Sequence, residues 1–213
     1  MTVVPKDPAK VARIMQTATH EFASHGYTGA KTEQIAAKAQ VSKGLIFHYY
    51  GSKQALYFET VQAATQTILD TINLKAYEVT TDLVTLVVRG ARYKAEFGQT
   101  HPDEMRIMID AYGMVDKLPA KVRAQLNQLY QQNMHTMQGL IGDVLDQMAV
   151  RPEINRETLI SLIMGLYNQI FTEFQQHMQQ SPDIKTMTDA QWIVDRAKDY
   201  MQILQFGFVT PLT

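Results

Sequence analysis

The chain has 213 residues, 46% of them hydrophobic and 19% charged, which is enough apolar side chain for a core and enough charge for solubility. It contains no cysteine, which excludes disulfides, cysteine-ligated zinc or iron–sulfur centres and thiol nucleophiles together, and fits a reducing compartment. The net charge of −1 conceals an asymmetry: residues 1–55 carry seven basic residues (Lys6, Lys10, Arg13, Lys31, Lys38, Lys43, Lys53) against three acids (Asp7, Glu21, Glu33), a basic head of +4 on a body of −5, as expected if only the head meets phosphate.

Apolar residues recur with a period near 3.6 throughout, and short Gly, Pro, Ser and Thr breaks separate the runs, so the chain is expected to be all-α. The first helix is predicted to start at Asp7 as cap with Pro8 in its first turn, to carry a stripe of Val11, Ile14, Met15, Ala18 and Phe22, and to end at Gly26. A second follows from Thr32 as cap, with Ile35, Ala36 and Ala39 inward. A third, short helix is predicted from Ser42 to about Tyr50, with Val41 and Ile46 at the two positions of a hydrophobic staple. Gly51 breaks the chain, and Ser52 caps a fourth helix running through Leu56, Val61, Ile68 and Ile72 to about Leu74.

Beyond this point the punctuation is weaker. A helix is expected over 82–97, although Val84, Thr85, Val87 and Val88 also suit a strand. Gly98 to Pro102 reads as a loop, followed by a short helix over 103–112. His101 and Asp103 suit the cap of that helix better than a metal site. Pro119 opens a long helix to about Ala149, and Arg151-Pro152 breaks it. Two further helices are predicted over 155–179 and 188–207, separated at Ser181-Pro182, with Thr188 and Gln191 spaced as a capping box.

The second and third helices, joined by a three-residue turn, have the pattern of a helix-turn-helix whose second member enters the major groove of DNA. Ile35, Ala36, Ala39, Val41 and Ile46 can pack the pair on the first helix, and the small alanines permit close approach. The third helix opens with Ser42, Lys43 and Gly44, a capped helix start with a cation and a bare backbone. Free amides and a lysine ammonium at that end favour phosphate or guanine acceptors. Phe47 suits a thymine methyl, His48 a base edge or phosphate, and Tyr49 and Lys53 the backbone phosphates.

The stretch Phe22-Ala23-Ser24-His25-Gly26-Tyr27, through Thr32, Ile35-Ala36, Val41-Ser42-Lys43-Gly44 and Phe47-His48-Tyr49-Tyr50, to Ser52-Lys53-Gln54-Ala55-Leu56, resembles the N-terminal domain of the tetracycline-repressor (TetR) family over about residues 8–58. The resemblance implies an Ω-shaped, all-helical dimer: a three-helix DNA-binding domain over 1–55 joined to a larger ligand-binding and dimerisation domain over 56–213. It implies a repressor that binds a palindromic double-stranded DNA operator and releases it when a small-molecule inducer binds. By position it places Lys43, Gly44, Phe47 and His48 at bases, and Thr32, Ser42, Tyr49 and Lys53 at phosphates. The chain departs from the family's pattern at Phe47, where tyrosine is usual, and at Leu45, where members often carry Thr or Ser. Each departure removes a hydrogen bond to DNA.

In the body, the segments 155–179 and 188–207 are apolar on more than one face. Leu159, Ile163, Leu166, Ile170 and Phe174 form one stripe of the first, and Ile160, Tyr167, Phe171 and Met178 another. Trp192, Ile193, Val194, Ala197, Tyr200, Met201, Leu204 and Phe208 crowd the second. Helices buried on two sides suit a four-helix bundle with a partner subunit, so a homodimer through these two segments is expected. Ten of the twelve methionines lie beyond residue 100. Tyr93, Phe97, Met105, Met108, Tyr112, Met114, Met134 and Met137 fall where the family keeps its pocket, and Tyr167 and Phe171 face the same region. This is the expected region for an apolar or amphipathic ligand, although ordinary core packing is the better explanation of any one of these residues taken singly.

Enzyme signatures are missing from the sequence. The six histidines show no His-Glu-x-x-His spacing, and no Gly-x-Ser-x-Gly elbow or strand-borne glycine-rich loop occurs. No catalytic residue, metal site or cofactor is therefore expected. The N-terminus lacks the basic start and apolar run of a secretion signal, and no apolar stretch approaches the roughly 20 residues that span a bilayer. The expectation is a cytoplasmic protein without a membrane partner. The competing functions are a constitutive DNA-binding regulator without inducer, and a small-molecule carrier or enzyme.

Overall fold

Nine α-helices and one 3-10 turn, with no strand, make up the described residues (6–71, 82–180 and 184–207) of the computed structural model. The helices are α1 (Pro8–Gly29), α2 (Thr32–Lys38), α3 (Lys43–Tyr50), α4 (Lys53–Thr71), α5 (Leu83–Thr100), α6 (Pro102–Gly113), α7 (Ala120–Gln147), α8 (Arg156–Gln180) and α9 (Gln191–Phe206). The 3-10 turn is Val115–Lys117. The 82–97 segment is thus helical despite its β-branched residues. Ile72, the expected helix end near Leu74, the Ser181-Pro182 break and Phe208 lie outside the described residues.

Local chemistry explains the boundaries. Asp7 caps α1 by accepting the amides of Ala9 and Lys10, and Ser42 and Ser52 cap α3 and α4 through the amides of Leu45 and Ala55. Gly26 breaks the helical path of α1 at φ 64°, a conformation that glycine adopts without strain. The α2–α3 turn is a Schellman motif. Gln40, at φ 56°, gives its amide to Ala37, and Val41 gives its amide to Ala36.

Four boundaries differ from expectation. Thr32 is not the cap of α2. Lys31 is, with no side-chain bond to the helix, and the Glu21 carboxylate from α1 takes the Lys31 amide at 3.1 Å. Gly98 does not end α5, which runs to Thr100. A Cβ at Gly98 would stand 3.3 Å from Met105 Cγ, so this glycine serves the packing of α5 on α6. His101 makes no side-chain cap on α6: its ring stacks on Phe97 at 4.5 Å, and Asp103 pairs with His20 of α1 instead. The Thr188–Gln191 capping box does not form either. Asp189 organises that turn by accepting from the amides of Lys185 and Thr186 and from the Thr186 hydroxyl.

The apolar stripes meet in two cores. One begins in α1–α3 with Ile14, Phe22, Ile35 and Ile46, and continues without a gap through Leu56, Tyr57 and Val61 of α4 to Ile107 and Ala111 of α6 and Met178 of α8. Tyr57 is its keystone, with the rings of Phe22 and Tyr27 edge-on at 5.0 and 5.1 Å. The second core lies at the far end of the body and joins Leu83, Leu86 and Val87 of α5 to Ile141 and Val144 of α7, Ile160 and Ile163 of α8 and Met201 of α9. No helix among the described residues is long and apolar enough to cross a membrane.

Candidate nucleic-acid interface

The α2–Schellman turn–α3 unit is held from behind by α1. Ile46 and Tyr50 of α3 are buried against Ile14, Ala18 and Phe22, so the opposite face of α3 is turned outward. That outer face carries Lys43, Gly44, Phe47 and His48, all exposed. The residues expected at bases thus share one surface. The amides of Lys43 and Gly44, in the first turn, take part in no hydrogen bond and remain available to an acceptor. A Cβ at Gly44 would meet nothing closer than Ser42 Oγ at 3.9 Å, so the glycine leaves an open step on the helix surface. Phe47 exposes 37% of its surface, so its ring is accessible to a partner on this face.

The charges at this surface are pre-engaged. The Lys43 ammonium contacts Glu33 Oε1 at 2.5 Å and lies 5.6 Å from the centre of the Phe47 ring. The hydrogen bond from Lys43 holds the Glu33 carboxyl at about 2, well below the ordinary glutamate value. Both partners are solvent-facing, so the pair is weak and exchangeable for a phosphate or a base.

The expected phosphate contacts are arranged differently. Ser42 stands at the helix start as expected, its oxygen occupied by capping and its proton free to donate. Thr32 is buried, and its hydroxyl turns to Glu33 rather than outward. Tyr49 Oη accepts the Asp7 amide at 3.0 Å, which ties α3 to the start of α1 and leaves the phenol proton for another acceptor. The Lys53 ammonium is drawn inward. It donates to the carbonyls of Ala30 (2.7 Å) and Thr28 (3.3 Å) and sits 4.9 Å from the Tyr27 ring centre, and burial pushes it below the ordinary lysine value. Sequence reasoning missed Glu21, the buried carboxylate that orients α2 through Lys31 and Lys38. An acid on the buried stripe beside Phe22 was the available signal.

In the body, the residues expected at a pocket fall into different settings. Phe97, Met105 and Met108 are buried parts of the first core, and Tyr93 spends its hydroxyl on Ile68 O and Thr71. Tyr112 packs edge-on to Phe171 at 6.2 Å, and Tyr130, not anticipated, stacks on Phe171 at 4.2 Å. Met134, Met137 and Tyr167 keep part of their surface exposed. A surface groove of about 390 Å³ lies elsewhere, between α1 and α4, lined by Lys6, Val11, Met15, Tyr50, Glu59 and neighbouring residues. Among the described residues, no cluster of His, Asp and Glu has the makings of a metal site.

Comparison with known proteins agrees with this geometry. The profile of a family described as "Bacterial regulatory proteins, tetR family" matches residues 14–60. The HTH-type transcriptional repressor SCO4008 of Streptomyces coelicolor is 45% identical over 58 residues, 27% of this chain and 30% of that protein. The HTH-type transcriptional regulator RutR of Escherichia coli is 29% identical over 127 residues, 56% of this chain and 58% of its own. The chain thus aligns with less than two thirds of either relative. Across nearly the whole length, the fold is shared with the regulator FadR of Bacillus subtilis, solved with stearoyl-CoA: TM-score 0.61 at 13% identity, covering 93% of this chain and all of that one.

Proposed function

We propose that the protein, whose residues 14–60 match the tetR family profile, is a dimeric transcriptional repressor that binds a palindromic operator and leaves it when a small amphipathic ligand occupies the helical body. The observation that carries the reading is α3 itself. One helix face brings together free amides, a cation, a bare glycine and an exposed aromatic ring, held by a buried face that fixes its orientation. Lys43, Gly44, Phe47 and His48 read base edges, and the Ser42 and Tyr49 hydroxyls hold phosphates. Thr32 and Lys53 act indirectly in this reading, by fixing α2 and the end of α1. The protein works in the cytoplasm, where its operator is.

The second subunit docks on α8 and α9. Leu162 exposes 52% of its surface, Ile203 50% and Phe206 73%, an apolar set on the side of these helices away from the core. Gly165 faces open space one turn from Leu162, where a neighbouring helix can approach closely. A chain of the same fold solved with stearoyl-CoA supports a body that holds small molecules, and ligand binding acts by favouring a spacing of the two α3 helices that no longer matches one DNA turn.

The test is selection of bound sequences from a random DNA pool, followed by binding of the enriched sequence across a salt series. A palindromic consensus, bound with an affinity that falls steeply as salt rises, is the expected result. Enrichment of a single half-site bound by a monomer refutes the dimer, and no enrichment by protein refolded free of ligand refutes sequence-specific binding.

A further inference from the structure

The reading surface carries one charge of the wrong sign for DNA. Glu33 is the only acid between Ala30 and Lys53, and its side chain is 60% exposed beside a Lys43 side chain that is 49% exposed. Phosphates repel a carboxylate at that place whatever the base sequence. The other two acids of residues 1–55 hold backbone: Asp7 caps α1, and the buried Glu21 takes the Lys31 amide. Glu33 is not the cap of α2, which is Lys31. Its side-chain contacts are the Thr32 hydroxyl at 3.3 Å and, across the α2–α3 turn, the Lys43 ammonium at 2.5 Å.

That contact weighs differently on the two kinds of acceptor that Lys43 can meet. A phosphate gives the ammonium one exposed ion pair in exchange for another, so little is gained, and the exchange leaves the Glu33 carboxylate unpaired beside a polyanion. A guanine presents O6 and N7 side by side at a fixed place in the major groove, where the rest of an ordered interface holds the lysine against them, and no other base does so. Guanine therefore displaces Glu33 from Lys43 more readily than phosphate does. Other cations of the head are engaged in the same way. Lys10 faces Asp7 at 3.6 Å, Lys38 faces Glu21 at 3.5 Å and Lys6 faces Glu59 at 3.9 Å, which limits the attraction to phosphates of arbitrary sequence.

We infer that Glu33 is a specificity-determining residue that touches no base: it withholds Lys43 from phosphate and yields it to guanine. It lowers affinity for all DNA, and lowers it most for DNA that lacks the operator guanine. The inference rests on the DNA-binding reading above and adds the residue that sets the ratio of specific to non-specific affinity.

The experiment measures binding of the full chain to its selected operator and to a duplex of scrambled sequence, by fluorescence anisotropy across a salt series. In Glu33→Gln the released ammonium joins the phosphate contacts on scrambled DNA, so the salt slope there steepens by about one, which corresponds to about tenfold tighter binding at about 0.1 M salt. Operator affinity rises by about threefold or less, and the ratio of the two affinities falls by about threefold or more. Glu33→Asp, which keeps a carboxylate within reach of a flexible lysine, stays near the wild-type slope and ratio. In a Lys43→Ala background, Glu33→Gln changes both duplexes by the same factor, a result that a merely structural role in α2 does not give. An equal rise on both duplexes in the single variant shows a uniform charge effect and overturns the inference. So does a fall in operator affinity, which makes Glu33 a base contact, and so does the same loss of discrimination without Lys43. A wild-type chain that prefers no sequence overturns the DNA-reading function and this inference together, whereas a preference that Glu33→Gln leaves unchanged overturns the Glu33 inference alone.

Discussion

Replacing Glu21 tests how the reading head is oriented. Its carboxylate is buried, its side chain only 4% exposed, and it does three things at once. Oε1 accepts the Lys31 amide at 3.1 Å and faces His25 Nδ1 at 3.6 Å, and Oε2 faces Lys38 Nζ at 3.5 Å. His25 and Lys38 are half exposed, so their attraction contributes little, and the backbone amide dominates. Glu21→Ala leaves that amide without a partner beside the core, a loss of about 1–3 kcal/mol. Removing the one buried methylene, Cγ, adds about 0.8 kcal/mol, so the total is about 2–4 kcal/mol. For a chain of this size that lowers the melting temperature by roughly 5–12 °C, measured by circular dichroism at fixed protein concentration. Glu21→Gln keeps the acceptor and most of the packing and lowers it by no more than about 3 °C. If the alanine variant melts within about 1 °C of wild type, or the glutamine variant melts as low as the alanine one, the amide does not control the placement of α2.

Five other outcomes are expected. Lys43→Ala weakens operator binding by about tenfold or more, and Glu33→Gln, which releases the same ammonium, strengthens it, both read by fluorescence anisotropy. Because the Glu33 carboxyl is depressed to about 2, the Glu33–Lys43 pair is intact above the ordinary glutamate pKa and is lost as pH falls toward about 2; Lys43→Met returns the carboxyl titration, followed by NMR, toward the ordinary value. Lys53→Ala lowers thermal stability by uncovering the Ala30 and Thr28 carbonyls but leaves the salt slope of DNA binding unchanged, whereas a slope reduced by about one makes Lys53 a phosphate contact after all. Phe206→Asp weakens the dimer at least about a hundredfold in sedimentation, since it places a carboxylate in the exposed apolar set of α8 and α9. Gly113→Ala destabilises by about 1–3 kcal/mol in urea melts, because its Cβ would stand 2.7 Å from Cγ of the fully buried Met178.

The head was legible because its punctuation is local. Asp7, Ser42 and Ser52 act on amides two or three residues away, and Gly26 and Gly51 need nothing beyond their own positive φ. Side chains that answer to distant partners were not legible. Lys53 has the residue type that a phosphate contact requires, but the Ala30 carbonyl 23 residues away takes its ammonium, and Tyr49 Oη also accepts the Asp7 amide 42 residues away. Thr32 lost its capping role to Glu21, ten residues before Lys31. The expected ligand region is hard to read for a related reason: methionines and aromatics mark core and cavity alike, and Phe97, Met105 and Met108 are buried in the first core.

The way the cores are divided constrains how occupancy of the body can reach DNA. The head has no core separate from the body. Phe22, Ile46 and Tyr57 belong to the same packed unit as Ile107, Ala111 and Met178, and His20 of α1 pairs with Asp103 of α6 at 2.9 Å. Close-packed side chains move together or repack in discrete steps, so α1, α4 and α6 respond as one block and not through a flexible hinge after residue 55. Between the two cores α5, α7 and α8 carry no fully buried residue, although Tyr130 and Phe171 stack there at 4.2 Å. In the proposed dimer, a change in how this level packs alters the distance between the far core and the near core, which carries α3, so the separation of two α3 helices changes while α3 itself need not deform.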